Sequence, residues 1–355
     1  MYKIGDLGNF ETLPDMCMLI YEGKSAELEA MLKAGREVSE QLALGRYSIV
    51  TLLDIALILN KLDAVKMLVE HGAELNSKQS PAILLAIRYG DEPLVRYIHE
   101  KGAKLTLVNE VKSNAYDEAY YGNKRNIPLL RELGLDIVKY GGKLLRKAVA
   151  DQDKKLIEYL LDHGVDINFN EADMIYPYKA TPVTVAARMN SLAMVKYLVE
   201  RGADVTIAEK DGERAYTIAI TAKNIEMAEY LKGLEHSDFH DISNKLYTLK
   251  GYGLPNDLIA FLTSNNLRIK LPANELDVRY VDFLTLVDTV ELKAGRQKLI
   301  RLSAEVDQYS HLHVVWDKSK KGIGVYDVEH KEYGYLGKFS DFQHEPLLFL
   351  EKMFG

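Results

Sequence analysis

The sequence predicts an all-α array of about seven repeated helix pairs, followed by an α+β domain with an antiparallel sheet. Three observations support this architecture. A glycine returns about every 33 residues, an apolar pattern with helical spacing precedes each glycine, and the apolar spacing changes to two after residue 310. A chain of 355 residues exceeds what one compact core usually holds. We expect the array over residues 1–235, a linker over 236–250 and the second domain over 251–355.

The repeat is clearest in Thr51–Asn76, which aligns without a gap with the stretch from Thr181. Each copy begins with a short helix near a Thr or Pro, and small residues in that helix allow a second helix to approach closely. The second helix carries an apolar stripe that only a neighbouring pair can bury. A closing glycine is then expected in a left-handed conformation that ends the helix. These glycines are Gly35, Gly72, Gly102, Gly134, Gly164 and Gly202, with a degenerate seventh copy over 223–234.

These residues resemble the ankyrin repeat over roughly residues 14–235. The family's Thr-Pro-Leu-His opening survives in part, as Thr181-Pro182-Val183-Thr184 and Pro81-Ala82-Ile83-Leu84. In the fourth repeat Glu118 takes the usual place of a small residue, and we expect a distortion there. The resemblance implies a stacked helical solenoid with a concave surface made by the first helices and the turns before them.

The resemblance also assigns particular side chains to that surface. The two positions after the small-residue pair of each first helix would face outward, and a longer finger at Asn168–Lys179 adds Met174 and two tyrosines to its rim. Tyr and Arg dominate protein–protein hot spots because they combine a large contact area with a polar tip. The candidate partner-binding residues are Tyr21, Arg88, Tyr89, Tyr120, Tyr121, Asp151, Tyr176, Tyr178 and Arg188. Alternatively, several of these tyrosines only pack against their neighbours.

The C-terminal segment has a different pattern. A short helix is expected over Asn256–Leu262, and Leu312, Val314 and Trp316 then alternate with other residues as in a β-strand. Two further strands, at 323–328 and 333–336, would complete an antiparallel meander. A final helix is expected from about Ser340, with its apolar side formed by Phe342, Leu347, Leu348, Leu350 and Phe354.

This arrangement resembles the SUKH superfamily, an α+β domain common among bacterial immunity proteins. The resemblance rests on the helix Leu254–Leu262, the strand pair around Gly324-Val325-Tyr326-Asp327 and the closing Phe339-Ser340-Asp341-Phe342. The stretch from Leu267 to Val290 matches the family poorly. The resemblance implies an immunity role, in which the protein binds and neutralises a toxin such as a nuclease or deaminase.

Composition excludes several function classes. Forty-five basic and 52 acidic residues give a net charge of −7, which disfavours nucleic-acid binding and suits a basic protein partner. Together with the SUKH resemblance, this charge implies a basic toxin domain as that partner. The N-terminus lacks the pattern of a secretory signal, and the most apolar stretch, Ile49–Leu59, is too short to cross a membrane. One cysteine, Cys17, excludes an internal disulfide and favours a reducing compartment. We therefore expect a cytoplasmic protein whose oligomeric state the sequence leaves open.

No residues assemble into a recognisable catalytic or cofactor site. His311 and His313 would share one strand face, but no further ligand completes a metal site there. His236 and His240 lie four apart beside Asp238 and Asp241, a spacing that could bind a divalent ion on a helix, but this segment is expected to be a linker. Cys17 has no base placed to activate it and is expected to be buried and inert. We therefore predict a non-enzymatic binding protein without metal or cofactor. The first hypothesis is a toxin-neutralising immunity protein, the alternative a general ankyrin scaffold, and the third an enzyme with an unrecognised site.

Overall fold

The computed structural model describes residues 1–45, 48–275, 277–346, 349 and 352. The chain forms two compact units. Unit 1 comprises residues 1–148 and 155–166, and unit 2 comprises residues 149–154 and 167–355. This division differs from the predicted boundary near residue 235, because the last two helix pairs pack in the same unit as the C-terminal sheets.

Unit 1 contains consecutive helix pairs whose first helices pack side by side. A hairpin of β1 (Tyr2–Ile4) and β2 (Gly8–Phe10) precedes them, and β3 (Leu42–Ala43) pairs with β4 (Ile49–Val50). The helices are α1 (Asp15–Glu22), α2 (Ser25–Lys33), α3 (Leu52–Ile58), α4 (Leu62–Glu70), α5 (Ala82–Tyr89), α6 (Glu92–Glu100), α7 (Ala115–Tyr121), α8 (Asn126–Glu132), α9 (Ile137–Tyr140), α10 (Gly142–Ala150) and α11 (Lys154–Asp162). The first helices that pack side by side are α1, α3, α5 and α7. The residues of α10 and α11 are divided between the two units.

Unit 2 contains two further helix pairs and two antiparallel sheets. Its helices are α12 (Pro182–Arg188), α13 (Leu192–Glu200), α14 (Ala215–Thr221), α15 (Ile225–Lys232), α16 (Ile242–Leu249), α17 (Asn256–Leu262) and α18 (Phe339–His344). Its strands are β5 (Arg268–Lys270), β6 (Tyr280–Phe283), β7 (Val290–Ala294), β8 (Gln297–Arg301), β9 (Ser303–Val306), β10 (Leu312–Asp317), β11 (Gly322–Asp327) and β12 (Glu332–Gly337). They form one sheet in the order β12-β11-β10-β8-β7 and another in the order β5-β6-β9.

The local signals of the repeat act as predicted. At the start of α3 the Thr51 hydroxyl accepts a hydrogen bond from the Asp54 amide at 3.1 Å, and Asp54 Oδ2 accepts one from the Thr51 amide at 2.8 Å. Thr181 and Thr184 form a similar reciprocal cap on α12. The six predicted closing glycines all adopt positive φ angles, between 83° and 96°. These positions therefore end their helices in the left-handed conformation, as the sequence predicts.

Residues 236–250 do not form the predicted polar linker. Residues 237–240 make a 3-10 turn, and α16 follows directly. Leu249 is only 2% exposed and belongs to the core of the C-terminal sheets. The sequence of this segment lacks an apolar period because α16 buries just one edge, while Ile242 and Tyr247 remain exposed.

The predicted meander is confirmed, since β10 pairs with β11 and β11 with β12 in antiparallel register. The sequence pattern does not predict strands β5 to β9. Residue 315 shows why the alternation is incomplete: Val315 is fully buried against Leu292 and Leu299, so both faces of β10 are covered. The final helix begins at Phe339. Of its predicted apolar residues Phe342 is buried, and Leu347, Leu348, Leu350 and Phe354 lie outside the described residues.

Among the helices that the structure describes, none is long and apolar enough to cross a membrane. Cys17, on α1, is fully buried, and burial raises its pKa to about 11. This burial confirms the prediction that Cys17 is buried, and a raised pKa favours the protonated, less reactive thiol.

Candidate functional site

The predicted partner-binding residues of unit 1 lie at the ends of the first helices but differ in accessibility. Tyr21 and Tyr89 are half-buried, whereas 52% of Tyr121 is exposed. Tyr120 is only 6% exposed, so the prediction that it faces a partner is wrong. Consecutive residues of a helix point about 100° apart. Tyr121 therefore takes the outward position on α7, and Tyr120 is turned into the core.

Arg88 lies at the centre of a polar cluster rather than facing solvent alone. Its Nη1 donates to Glu118 Oε2 at 2.9 Å, while its Nε and Nη2 donate to Asp6 Oδ2 at 3.0 and 2.6 Å. Glu118 is 5% exposed, and its other oxygen accepts a hydrogen bond from Asn109 at 3.0 Å. Arg88 thus neutralises the carboxylate that replaces a small residue in the fourth repeat. The distortion expected there breaks neither α7 nor α8.

Tyr121 is the accessible aromatic residue of this group. The ammonium nitrogen of Lys147 lies 4.2 Å from the centre of its ring, and the guanidinium carbon of Arg88 lies 6.0 Å away. Lys147 is itself held by Asp117, at 2.8 Å from Oδ1. Cations near an aromatic face are attracted to it. Tyr121 is therefore held in position while half of its surface is open to a partner.

Arg188, at the end of α12, is paired within unit 2. Its Nη2 donates to Glu209 Oε2 at 2.5 Å and to Glu213 Oε2 at 2.8 Å. Arg301, on β8, donates from Nη1 to Glu213 Oε1 at 2.6 Å. Glu213 thus joins the end of one repeat to the C-terminal sheet. Arg188, predicted to bind a partner, has its guanidinium already engaged by Glu209 and Glu213.

The carboxylates around Arg188 form an acidic cluster. Burial raises the pKa of Glu209 to about 7. Burial alone would also raise the pKa of Glu213, but Arg301 and Arg188 hold it below its usual range. Glu209, Asp211 and Glu213 each place a carboxylate oxygen within 4.8 Å of the other two. In the described part of the chain they are the one such group that could hold a metal ion. Since Arg188 and Arg301 already pair with two of the three carboxylates, we assign the cluster a structural role.

The two tyrosines of the finger, Asn168–Lys179, pack against each other. The rings of Tyr176 and Tyr178 meet edge to face with their centres 6.0 Å apart. The guanidinium carbon of Arg188 lies 4.8 Å from the Tyr178 ring centre, and the Lys210 amide donates to the Tyr178 carbonyl at 2.7 Å. Both tyrosines are half-buried. They serve first as the base of the finger, in agreement with the alternative that such tyrosines pack against neighbours.

The tip of the finger instead exposes two aliphatic side chains. Met174 is 71% exposed and Ile175 is 51% exposed. Asp173 Oδ1 accepts hydrogen bonds from the amides of Ile175 and Tyr176 at 2.8 and 2.6 Å. This turn fixes the backbone beneath the two apolar side chains.

The two remaining candidate residues are Tyr21 and Asp151. Tyr21 meets Tyr2 edge to face at 5.2 Å, and Asp151 is exposed just after α10. Sequence reasoning missed Asp6 and Glu213, whose arginine partners lie 82 and 88 residues away along the chain. No local pattern signals such pairs. The glycines on either side of Asp6 were the available sign of a tight turn.

His313, on β10, makes stability depend on pH. Burial, reinforced by Arg301, lowers its pKa to about 3. In the unfolded chain the pKa of histidine is near 6.5, so acid stabilises the unfolded chain progressively as the pH falls below that value. We expect this residue to lower the free energy of unfolding of unit 2 by about 1 kcal/mol between pH 6.5 and 5.5.

Urea titrations of the wild type and of His313→Gln at both pH values measure this effect. The variant should lose that part of the pH dependence, whereas His344→Gln, at an exposed position, should retain it. An unchanged pH dependence in His313→Gln would contradict the assignment.

Comparison with known proteins agrees with the repeated helix pairs of the structure. Residues 145–242 match the family model described as ankyrin repeats, in 3 copies. This segment contains ankyrin repeats. An ankyrin repeat protein of Rickettsia felis is 26% identical over 283 residues, which cover 69% of this chain and 73% of that protein. The ankyrin repeat protein FPV022 of fowlpox virus is 31% identical over 150 residues, 41% of this chain and 23% of the viral protein.

The ankyrin repeat protein R598 of Acanthamoeba polyphaga mimivirus is 22% identical over 177 residues, 48% of this chain. The chain spans about half of that protein (54%) and about a quarter of the fowlpox protein (23%). The assignment of the C-terminal domain to the SUKH superfamily stays a prediction.

Proposed function

We propose that this chain is a non-enzymatic adaptor that binds protein partners through its ankyrin repeats, with the tip of the finger as a principal contact. Repeat arrays present extended binding surfaces without chemistry of their own. In both arginine-centred clusters the arginines are paired with carboxylates of the same chain, which suits scaffolding better than catalysis. The two exposed aliphatic residues at the tip are the observation that carries this proposal.

The tip has the properties of an interface anchor. Met174 and Ile175 expose 71% and 51% of their surfaces, although loop tips usually carry small or polar residues. Methionine is enriched at protein–protein interfaces. The Asp173 turn orders the backbone of the tip before any partner arrives, which reduces the entropic cost of binding. An apolar pocket on the partner is the complement that such a tip requires.

The proposal predicts that Met174→Ser combined with Ile175→Ser reduces the recovery of bound partners at least tenfold. Tagged full-length chains would be used to capture proteins from the native host, with quantification by mass spectrometry. Tyr247→Ser is the matched control, because Tyr247 is 77% exposed on α16, outside the repeats. An identical set of captured proteins for the wild type and the double variant would contradict the role of the finger.

Toxin neutralisation is the second candidate. It rests on the resemblance of Leu254–Leu262, the segment around Gly324–Asp327 and Phe339–Phe342 to the SUKH superfamily. The comparisons favour the adaptor, since they concern the repeats. The acidic chain would attract a basic toxin domain and speed the encounter. Co-purification from the native host separates the candidates: one toxic partner supports neutralisation, and several housekeeping proteins support the adaptor.

A further inference from the structure

The N-terminal hairpin packs its turn against the first helices of unit 1. The turn, Gly5–Leu7, approaches so closely that a Cβ atom on Gly5 would lie 2.7 Å from Ile58 Cγ2 and 2.9 Å from Tyr89 Cε1. Gly5 also has a φ of 46°, which other residues rarely adopt. On β1, Tyr2 contacts Tyr21 edge to face at 5.2 Å. The hairpin thus covers three first-helix positions that the repeat would otherwise offer to a partner.

Asp6, at the centre of the turn, accepts hydrogen bonds from three donor groups. One carboxylate oxygen accepts hydrogen bonds from Arg88 Nε and Nη2 at 3.0 and 2.6 Å and from the Tyr89 hydroxyl at 3.1 Å. The Asp6 side chain is nevertheless 63% exposed. An exposed ion pair adds little net stability. This contact therefore resembles a bound ligand more than a buried structural pair.

The receptor for Asp6 is built into the repeats. Glu118, with its side chain 7% exposed, fixes the guanidinium of Arg88 from the opposite side at 2.9 Å. The rings of Tyr89 and Tyr121 lie with their centres 5.6 and 6.0 Å from the guanidinium carbon. A guanidinium held in this way presents its remaining donors in a fixed fork that matches a carboxylate.

We infer that the Arg88–Tyr89 site of unit 1 binds an aspartate or glutamate presented on a turn of a protein partner, and that the N-terminal hairpin is a tethered competitor for that site. This inference rests on the proposed protein-binding function and names its partner chemistry and its regulation. Tethering raises the effective concentration of Asp6 at the site. A partner must therefore displace the turn before its own acidic residue reaches Arg88.

The test uses full-length chains and a labelled synthetic peptide of residues 1–11, followed by fluorescence anisotropy. In Gly5→Val the added side chain forces the turn off Ile58 and Tyr89 but leaves Arg88 intact. We expect this chain, and Asp6→Asn, to bind the peptide at least tenfold more tightly than the wild type. Asn9→Ala, at an exposed position of β2, should behave like the wild type.

The peptide carrying Asp6→Asn should bind the Gly5→Val chain at least tenfold more weakly than the natural peptide. Circular dichroism at 222 nm verifies that each chain is folded, and Asp6→Asn serves alone if Gly5→Val is not. Equal binding of the two peptides, or no binding to either released chain, would overturn the inference. Because this assay needs no partner, such a failure leaves the finger and the adaptor function untouched, and loss of the finger contact leaves this site untouched.

Discussion

Replacing Arg301 by alanine is expected to lower the free energy of unfolding of unit 2 by about 3 kcal/mol, near the lower end of the cost of breaking a buried ion pair. Arg301 is 5% exposed. Its Nη1 bonds to Glu213 at 2.6 Å, and its Nε donates to the Ser303 carbonyl at 2.9 Å. Without the guanidinium, a buried carboxylate keeps only Arg188 as a partner, and a buried carbonyl loses its donor.

Trp316 gives a direct measurement of this effect. It is the single tryptophan of the chain, it is 2% exposed, and it lies opposite Ile300 on the strand that carries Arg301. Urea unfolding followed by its fluorescence should show an earlier midpoint for Arg301→Ala. Arg296→Ala, in the exposed turn between β7 and β8, should leave the midpoint in place.

The pairing itself can be separated from general damage. Combining Arg301→Ala with Glu213→Gln removes the stranded charge, so the double variant should be more stable than the sum of the two single changes implies. Strict additivity, or a loss below about 1 kcal/mol for Arg301→Ala, would contradict an ion pair that holds the repeat loop to the sheet.

Gly122→Ala is expected to destabilise unit 1 by about 3 kcal/mol, because the added methyl group has no room. A Cβ atom there would lie 2.0 Å from the Arg88 carbonyl oxygen and 2.7 Å from its carbonyl carbon. These are backbone atoms, and the same oxygen accepts a hydrogen bond from the Asn123 amide at 3.0 Å. The end of α7 must therefore move away from the end of α5.

Circular dichroism at 222 nm during urea titration would detect this loss of helix. Gly45→Ala is the matched control in the same unit, since its Cβ atom would make an ordinary contact of 3.6 Å with the Phe10 ring. A Gly122→Ala chain as stable as the control would mean that α5 and α7 tolerate a wider separation than the structure shows.

The partners of Arg88 and Arg188 are the part of the site that could not be predicted from the sequence. Arg88 and Arg188 occupy equivalent places in their repeats, and the pattern predicts both as outward contacts. In the structure their charges are compensated by carboxylates from other segments, Asp6 and Glu118 for Arg88, and Glu209 and Glu213 for Arg188. The site therefore depends on pairings between segments that no periodicity encodes.

The repeats could be predicted because short-range interactions along the chain encode them. Glycine at helix ends, reciprocal caps at helix starts and apolar stripes at helical spacing act within a few residues, so the sequence alone determined the helix pairs and their closing turns. Tertiary packing decided which tyrosine of α7 is exposed, which carboxylates pair with Arg88, and that Leu249 at the end of α16 joins the core of the C-terminal sheets. Those outcomes depend on contacts between distant segments, whose free energies depend on burial and charge compensation in the folded chain.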